Sequence, residues 1–210
     1  MSLGKNKVIL IGYSGHAFVV ADIFQRAKFE LVGYCDAIEK EHNPFKLPYF
    51  GNHKTEDAQE IIKNHRFFIA IGNNLIRREI FDNLSSFLSV NATDPSSIIS
   101  QYASLGTAVM VGAGVKINAF ARIGNGVICN TGAIVEHECK IADFVHLAPG
   151  SVLCGNVTVG ENSFVGANTV VKQGITIGNN VTIGAGSVIL RNIPDNCTVF
   201  GNPGKIIYHV

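Results

Sequence analysis

A six-residue period runs through the second half of the chain and constrains its fold more than any other feature. Apolar residues recur at every sixth position without an exception. They are Ile99, Leu105, Val111, Ile117, Ile123, Cys129, Val135, Ile141, Leu147, Leu153, Val159, Val165, Val171, Ile177, Ile183 and Ile189. Since 47% of the residues are hydrophobic, one fixed register would give this run by chance about once in 10^5. The period therefore predicts a repetitive β architecture.

The positions around each apolar step indicate how the repeat is built. The residue after the step is often Gly or Ala, and the residue two places before it is small or β-branched, as in Val109 and Thr169. One hexad then makes one short strand and one corner, and three hexads close a triangular coil with the apolar steps pointing inward. Equivalent residues stack at about 4.8 Å. Gly, Asn and Asp are expected at corners that require unusual backbone angles. The alternative is a β-sandwich with chance spacing.

The first half of the chain alternates between strand-like and helix-like segments. Strands are predicted at 7–12, 29–36 and 66–72, and helices at 17–27, 55–64 and 74–86, with Thr55 as an N-cap. The segment 38–52 holds two prolines and no clear period, and is predicted to be a loop. This alternation predicts a small parallel, Rossmann-like α/β unit. With a boundary near 91–97, the predicted domains are 1–94 and 95–210.

The overall composition bears on partners and location. A net charge of +1 with 16% charged residues gives no basic field for nucleic acid or a membrane surface. The five cysteines form no CxxC pair and lie mostly in apolar runs, which predicts reduced, buried thiols in a cytoplasmic protein. No signal peptide and no membrane span is expected.

A glycine turn follows the first predicted strand. Gly12, Ser14, Gly15 and His16 lie between that strand and the first helix, where backbone N–H groups can approach a phosphate. Asp36 ends the second strand, near the place of a ribose-binding acid. The Gly-x-x-Gly-x-Ala spacing is not the full dinucleotide fingerprint, so a mononucleotide or nucleotide-sugar site is favoured. A purely structural tight turn is the alternative.

A second motif combines titratable residues on the predicted coils. His137 lies two residues past an inward step, at a corner, and Glu138 beside it can fix the imidazole tautomer, which suits a general base. Gly155 follows His137 by three hexads, one coil further on the same edge, where its N–H can face a developing oxyanion. His146 is half a coil from His137, so the two histidines share a site only if neighbouring subunits pack together. A corner or packing role is the alternative for either histidine.

The chain ends in a third, weaker motif, a glycine–proline turn followed by Lys205. After the last hexad, this turn lies where the phosphates of a coenzyme can rest. A chain that leaves a β-helix needs a turn in any case, so the motif alone does not specify a function.

Four segments together resemble a known family. They are IGYSGHA, FIAIGNN, NTGAIVEHECKIADFVHLAPG and GNPGK, and with the hexads they cover nearly the whole chain. The chain resembles bacterial sugar acyltransferases that include the NeuD-like sialic acid O-acetyltransferases and the PglD-like UDP-4-amino-sugar N-acetyltransferases. Two departures concern the nucleotide: Asp36 is followed by Ala37, where nucleotide-sugar members commonly carry two acids, and the 38–52 loop is long.

The resemblance implies a left-handed parallel β-helix and a homotrimer with acetyl-CoA in the groove between adjacent subunits. It implies His137 as general base, oriented by Glu138, and Asn130 in contact with the acceptor sugar. The residues expected to contact the coenzyme are His146, Gly155, Ala185 and Lys205. Those expected to hold the nucleotide of the acceptor are Gly12, Ser14, Gly15, His16, Asp36 and Asn73. No metal is expected.

Several functions are compatible with these residues. The leading hypothesis is acetyl transfer from acetyl-CoA to the amine of a nucleotide-linked 4-amino-4,6-dideoxy sugar. O-acetylation of sialic acid or another sugar hydroxyl is the alternative within enzymes, because an amine and a hydroxyl need the same base. A metal-dependent enzyme of the carbonic anhydrase type needs three histidines at an interface, and the spacing of His137 and His146 does not suit it. A non-catalytic scaffold has no need of the pair formed by His137 and Glu138.

Overall fold

A computed structural model of the protein describes residues 6–87 and 89–209. It divides the chain into two compact units, Met1–Pro95 and Ser96–Val210. The first five residues, on which part of the signal-peptide expectation rests, lie outside the described residues. Among those described, no helix is both long enough and apolar enough to cross a membrane.

The first unit is a three-stranded parallel sheet with three helices. Its elements are β1 (Lys7–Ile11), α1 (Gly15–Arg26), β2 (Glu30–Cys35), α2 (Glu56–Lys63), β3 (Arg66–Ile69), α3 (Asn74–Asn83) and the short β4 (Ala92–Thr93). The strand order is β2-β1-β3, so the chain crosses from one side of β1 to the other. The carboxyl ends of β1 and β3 therefore form the switch point at which parallel α/β sheets bind ligands.

The predicted elements of this unit are all present, with shifted ends. Helix α1 begins at Gly15, two residues early, because Ser14 already has extended backbone angles and serves as N-cap. Strand β3 ends at Ile69 instead of residue 72, since the chain turns there towards α3. Helix α3 ends at Asn83 instead of residue 86. The Thr55 cap is confirmed, because its side chain accepts a hydrogen bond from the Ala58 N–H.

The 38–52 segment is an ordered loop tied down by three tyrosines. The Tyr13 hydroxyl donates to Asn43 Oδ1 (2.8 Å), and the Tyr34 hydroxyl accepts from the Lys40 N–H (2.9 Å). The ring of Tyr13 also stacks on that of Tyr34, with centroids 4.2 Å apart. Tyr49 lies on the loop itself and donates to the backbone carbonyl of Asp36 (3.2 Å). The loop is therefore anchored to the glycine turn and to the end of β2.

The second unit is a stack of two-residue strands, one per hexad. They are β5 (Ile98–Ile99), β6 (Ser104–Leu105), β7 (Met110–Val111), β8 (Lys116–Ile117), β9 (Arg122–Ile123), β10 (Ile128–Cys129), β11 (Ile134–Val135), β12 (Lys140–Ile141), β13 (His146–Leu147), β14 (Val152–Leu153), β15 (Thr158–Val159), β16 (Phe164–Val165), β17 (Val170–Val171), β18 (Thr176–Ile177), β19 (Thr182–Ile183) and β20 (Val188–Ile189). The longer β21 (Cys197–Phe200) and β22 (Lys205–His209) close the chain as an antiparallel pair.

Strands one coil apart pair in parallel and form three faces. The first face is β5-β8-β11-β14-β17-β20, the second is β6-β9-β12-β15-β18, and the third contains β7-β10-β13-β16-β19-β21-β22. Paired hexads are three hexads apart along the chain, as in the pairing of Val135 with Ile117 and with Leu153. The first edge joins the first face to the second, the second edge joins the second to the third, and the third edge returns to the first. This is the predicted left-handed parallel β-helix.

The predicted inward register is correct. The apolar steps from Val111 to Ile189 are at most 4% exposed, and Ile99 and Leu105 are partly buried against the same core. The residues two places earlier are also buried from Val109 to Ser187, at most 8% exposed. Two inward positions per hexad therefore fill the prism.

Every corner from Ala108 to Gly186 carries a residue with positive φ, once per hexad. Gly or Asn occupies most of these positions, as expected. The prediction of Asp at these positions is wrong, because no Asp there has a positive φ. Asp143 lies beside such a corner and accepts a hydrogen bond from the Asn125 N–H of the previous coil (2.7 Å). Phe120 and Glu138 are among the exceptions, with φ of 65° and 61°.

All five cysteines are free, and four of them are buried. Burial raises the pKa of the Cys35 and Cys129 thiols to about 12. These thiols are therefore protonated packing residues rather than nucleophiles.

Candidate active site

The first edge of the β-helix carries a histidine–carboxylate pair. His137 Nδ1 lies 3.1 Å from Glu138 Oε2, and both side chains are more than half exposed. Because a carboxylate only accepts hydrogen bonds, this contact fixes the proton on Nδ1 and leaves the lone pair on Nε2. Glu138 reaches the ring from a left-handed backbone conformation (φ 61°), which costs about 1–2 kcal/mol for a residue with a Cβ. The same conformation recurs at every corner from Ala108 to Gly186, so the repeat itself requires it at this position.

Gly155 lies under the imidazole of His137, one coil further along the first edge. A Cβ on Gly155 would lie 2.5 Å from both Cε1 and Nε2 of His137. The two corners are joined by a hydrogen bond from the Asn156 N–H to the His137 carbonyl (2.8 Å). Glycine at this position therefore lets the imidazole occupy the space that a side chain would take. The predicted stacking of these two residues is observed.

The N–H of Gly155 differs from the equivalent groups on the second edge. There the N–H groups of Asn125 and Asn179 donate to Asp143 and Asp195 of the next coil, at 2.7 and 2.8 Å. Across residues 6–87 and 89–209, the Gly155 N–H has no such acceptor. A donor without an internal acceptor beside the base is suited to an oxyanion.

Asn130 and His146 form a second polar group on the third face. Asn130 Nδ2 lies 3.2 Å from His146 Nε2, and Asn130 Oδ1 accepts the Thr131 N–H (2.8 Å). His146 is only 8% exposed, and its ring meets Phe164 edge-on at 5.1 Å. As predicted, His146 and His137 project from different sides of the prism. The chain thus brings Asn130 to His146 and Gly155 to His137, but does not join the two groups.

The two other residues predicted to contact the coenzyme, Ala185 and Lys205, lie in different places. Ala185 is on the third edge, where its backbone N fills the space that a Cβ on Gly166 would take. Lys205 lines a cavity of about 300 Å³ with Arg191, Pro203 and Gly204.

Arg191 was not singled out from the sequence, although the period identifies it. It follows His137 by nine hexads, which is three coils, and therefore lies on the same edge beyond Gly155 and Gln173. At about 4.8 Å per coil, the two backbones are roughly 14 Å apart. With Lys205 in the same cavity, Arg191 gives this end of the first edge two cationic side chains.

The glycine turn of the first unit lies at the carboxyl end of β1. Gly12 has a φ of 89°, and a Cβ there would lie 2.5 Å from Ile71 Cγ1, so only glycine fits. Ser14 does not cap α1 with its side chain, and the first turn of α1 carries no acidic residue. The first N–H groups of the helix are thus available to an anion. A Cβ on Gly15 would meet no atom within 4 Å, so this approach is open.

His16 and Arg77 lie behind this turn. Burial, reinforced by the positive charge of Arg77, lowers the pKa of His16 to about 4, so the imidazole is neutral at pH 7. The buried Arg77 guanidinium donates to the carbonyls of Ile71 (3.0 Å) and Gly72 (3.1 Å) and to Asn74 Oδ1 (2.8 Å). Arg77, which sequence reasoning missed, therefore shapes the segment after β3.

Asp36 and Asn73 already make structural contacts. Asp36 accepts the Tyr13 N–H (2.8 Å) and the Ala37 N–H (2.7 Å), and pairs with Lys40 Nζ at 3.1 Å. Asn73 Oδ1 accepts the Ile76 N–H (3.0 Å) and caps α3. Asp36 thus holds the glycine turn in place with one oxygen. In the part of the chain that the structure describes, no group of His, Cys, Asp and Glu is arranged to hold a metal ion.

Both units match known families and solved structures. Residues 7–84 match the PglD N-terminal domain, and residues 156–191 match the bacterial transferase hexapeptide repeats. A variant of the perosamine N-acetyltransferase of Caulobacter crescentus, solved with CoA and GDP-perosamine, is 36% identical, with 99% of this chain and 100% of that chain covered and a TM-score of 0.92. The acetyltransferase domain of PglB from Neisseria gonorrhoeae is 32% identical, with 97% and 100% covered and a TM-score of 0.89. WeeI from Acinetobacter baumannii shares the fold at 21% identity, with 95% and 99% covered and a TM-score of 0.85.

Proposed function

The chain belongs to the PglD-like family of bacterial sugar acetyltransferases, and on that basis we propose that it acetylates the 4-amino group of a nucleotide-linked 4-amino-4,6-dideoxy sugar, with acetyl-CoA as donor. The observation that carries this proposal is the stack of His137, Glu138 and Gly155 on the first edge. It supplies a base with a fixed tautomer and an N–H donor beside it. Relatives solved with CoA and GDP-perosamine, or with acetyl coenzyme A, support the choice of both substrates.

The chemistry follows from the position of the lone pair on His137 Nε2. The amine of the acceptor attacks the thioester carbonyl, and Nε2 takes the proton that the nitrogen must lose as the N–C bond forms. The Glu138 carboxylate stabilises the resulting imidazolium, and the Gly155 N–H donates to the oxyanion. The C–S bond then breaks, and the proton passes from the imidazolium to the departing sulfur.

We propose that the coenzyme lies along the first edge beyond Gly155. The cavity that holds Arg191 and Lys205 is at the far end of that edge, and two cations suit the phosphates of CoA. The roughly 14 Å between the His137 and Arg191 backbones is a length that an extended pantetheine arm spans. His146 and Ala185 lie on other sides of the prism, so their proposed contacts with the coenzyme require a neighbouring copy of the chain.

That requirement leads us to propose a homotrimer with the active sites between subunits. Asn130 and His146 would then face the first edge of the next subunit, with Asn130 directed at the acceptor sugar. In the first unit, we propose that Gly12, Ser14, Gly15, His16 and Asn73 bind the nucleotide of the acceptor. Because Asp36 already holds the Tyr13 N–H, we propose that it supports this site from behind and offers only its remaining lone pairs to a ribose. The free, buried cysteines also suit a cytoplasmic location.

The test is a mass-spectrometric screen of acetyl-CoA with nucleotide-linked 4-amino-4,6-dideoxy sugars, together with free sialic acids. We expect one acetyl group to be added to the amino sugars, while product from the sialic acids alone would refute N-acetylation. His137→Ala should lower kcat by about 10^2 to 10^4-fold with little change in the KM for acetyl-CoA. Glu138→Gln should lower it less, because Glu138 orients the base without carrying the proton. An unchanged kcat in His137→Ala would leave the histidine a corner residue.

A further inference from the structure

Two exposed aromatic side chains lie one and two coils before the corner of His137 and Glu138, on the side away from Gly155. Tyr102 and Phe120 are each 61% exposed, and their ring centroids are 5.6 Å apart at 30°. Phe120 precedes Glu138 by one coil on the first edge, and the Glu138 N–H donates to the Ala119 carbonyl at 3.1 Å. The two rings and the catalytic pair thus form one continuous stretch of the first edge.

The backbone conformation of Phe120 is energetically unfavourable for a residue with a bulky side chain. Its φ is 65°, in the left-handed region that favours glycine and asparagine. Phe144 shares this conformation (φ 58°), but its ring is 3% exposed and covers Gly126, where a Cβ would lie 2.5 Å from it. Burial inside the chain therefore explains Phe144. Phe120 gains little such burial, and an exposed apolar side chain in a strained conformation points to a contact outside the chain.

The proposed coenzyme lies on one side of His137, so the acceptor can bind on the other side, where the two aromatic rings lie. Gly155 and Arg191 lie on one side of His137 along the edge, towards the end of the chain. Tyr102 and Phe120 lie on the opposite side. A nucleophile that gives its proton to Nε2 while it attacks a carbonyl next to Gly155 must approach from outside the coenzyme's path. The aromatic pair borders that approach.

We propose that Tyr102 and Phe120 are the platform that binds the acceptor sugar. The C–H-rich face of the sugar ring and the C6 methyl group of the sugar would pack against the aromatic ring of Phe120. A methyl group gains from burial against an aromatic face, whereas a C6 hydroxyl would lose water there without a new partner. The pair therefore selects 6-deoxy sugars. This inference rests on the proposed function, because the nucleophile must be a sugar. The alternative occupant of the platform is a second copy of this chain, and the experiment separates the two.

The variants are chosen so that the fold is retained. Phe120→Asn removes the ring and places a residue that favours the left-handed conformation, so it should melt no lower than wild type. Phe120→Tyr keeps the ring. Asn180→Gly, at a left-handed corner of the second edge (φ 53°), is the control for the kinetic measurements, because the hydrogen bonds it removes are with Asn162 and Asn196 on that edge. The substrates are a nucleotide-linked 4-amino-4,6-dideoxy sugar and its counterpart with a hydroxyl on C6.

We expect Phe120→Asn to raise the KM of the 6-deoxy acceptor about tenfold or more, as for a lost apolar contact in a specificity pocket. The KM of the C6-hydroxyl acceptor should change less, so the preference between the two should fall towards one. The KM of acetyl-CoA and the mass measured by light scattering should stay unchanged, and Phe120→Tyr and Asn180→Gly should behave like wild type. An unchanged preference would overturn the inference. So would a smaller assembly that raises both acceptor KM values in parallel, because the platform would then be a contact between copies.

A second measurement does not depend on turnover. Saturation-transfer NMR on the C6 methyl protons of the bound acceptor reports their contact with the protein. A signal that is strong in wild type and weak in Phe120→Asn supports the platform, and equal signals in the two proteins refute it. Acetylation by wild type tests the proposed function separately. If no acetylation occurs, the NMR signal still tests the platform, and if the platform is refuted, acetylation is still measurable.

Discussion

Substitution of Gly155 by alanine tests the geometry of the base most directly. The new Cβ would lie 2.5 Å from Cε1 and Nε2 of His137, whereas ordinary van der Waals contact begins near 3.4 Å. The imidazole must therefore retreat by about 1 Å, and its 3.1 Å contact with Glu138 must lengthen or break. A displacement of about 1 Å at a reacting group can lower the rate about 10^2-fold. We expect kcat of Gly155→Ala to fall by about that factor.

The fold should tolerate this change. Gly155 is not among the residues with positive φ, so alanine adopts its backbone angles without strain. Gly→Ala at a compatible site also restricts the unfolded chain, which is worth about 0.4–1 kcal/mol. The melting temperature should therefore stay close to that of wild type, and circular dichroism with a thermal ramp measures it. A loss of activity without a loss of stability would locate the defect in the site.

A double-mutant cycle with His137→Ala identifies the cause of the loss. If Gly155→Ala acts by displacing the imidazole, it should cost little further activity once the imidazole is gone. Steady-state kcat for the four proteins gives the coupling. Two results would refute the reasoning: a kcat of Gly155→Ala within about threefold of wild type, since a displacement of about 1 Å should cost far more, or the same fold-loss in both backgrounds. The latter would mean that the added methyl group obstructs the coenzyme or the backbone N–H of residue 155, and does not act by displacing the imidazole of His137.

Four other perturbations test the core, the glycine turn, the cationic cavity and the buried histidine. Ile177→Asp places an unpaired charge at a site that is 1% exposed and should destabilise the protein by about 3–5 kcal/mol, whereas Thr176→Asp on the outer side of the same strand should melt like wild type; equal melting temperatures would refute the register. Gly15→Val should raise the acceptor KM and leave the KM of acetyl-CoA unchanged; its melting temperature should match that of wild type, because a Cβ there meets no atom within 4 Å. A raised KM of acetyl-CoA would show that the coenzyme uses this turn. Arg191→Ala should raise the KM of acetyl-CoA about tenfold, as for the loss of one charge-assisted hydrogen bond worth about 1.5 kcal/mol, and leave the acceptor KM unchanged; an unchanged KM of acetyl-CoA would show that the phosphates do not bind in this cavity. The folded pKa of His16 is about 4, below its ordinary 6.5, so the unfolded chain binds the extra proton first and stability should fall by up to about 3 kcal/mol as the pH drops from 6.5 to 4; chemical denaturation of wild type and His16→Gln across this range should show a shallower fall in the variant, and parallel curves would contradict the shift.

Much of the candidate site was predictable because the repeat converts distance along the sequence into position in space. A separation of three hexads stacks Gly155 on His137, and a separation of one and a half hexads sends His146 to another side. The same counting identifies Arg191 on the edge of His137. The first unit offers no such rule, because Arg77 and Asp36 act through contacts with segments brought together by the fold of the α/β sheet.

The hexad pattern by itself determined the inward register, the three faces and the edge that carries His137, Glu138 and Gly155, since each follows from the six-residue period once three hexads close one coil. Only the tertiary structure decided where the side chains point and what holds them. It places the Glu138 carboxylate on Nδ1 from a left-handed corner, where the sequence predicted glycine, asparagine or aspartate. It also commits Asp36 to the Tyr13 N–H, and it leaves Phe120 exposed but Phe144 buried. These outcomes depend on the space available beside each corner. That space is set by neighbours one coil away and by loops such as 38–52, which no local period describes.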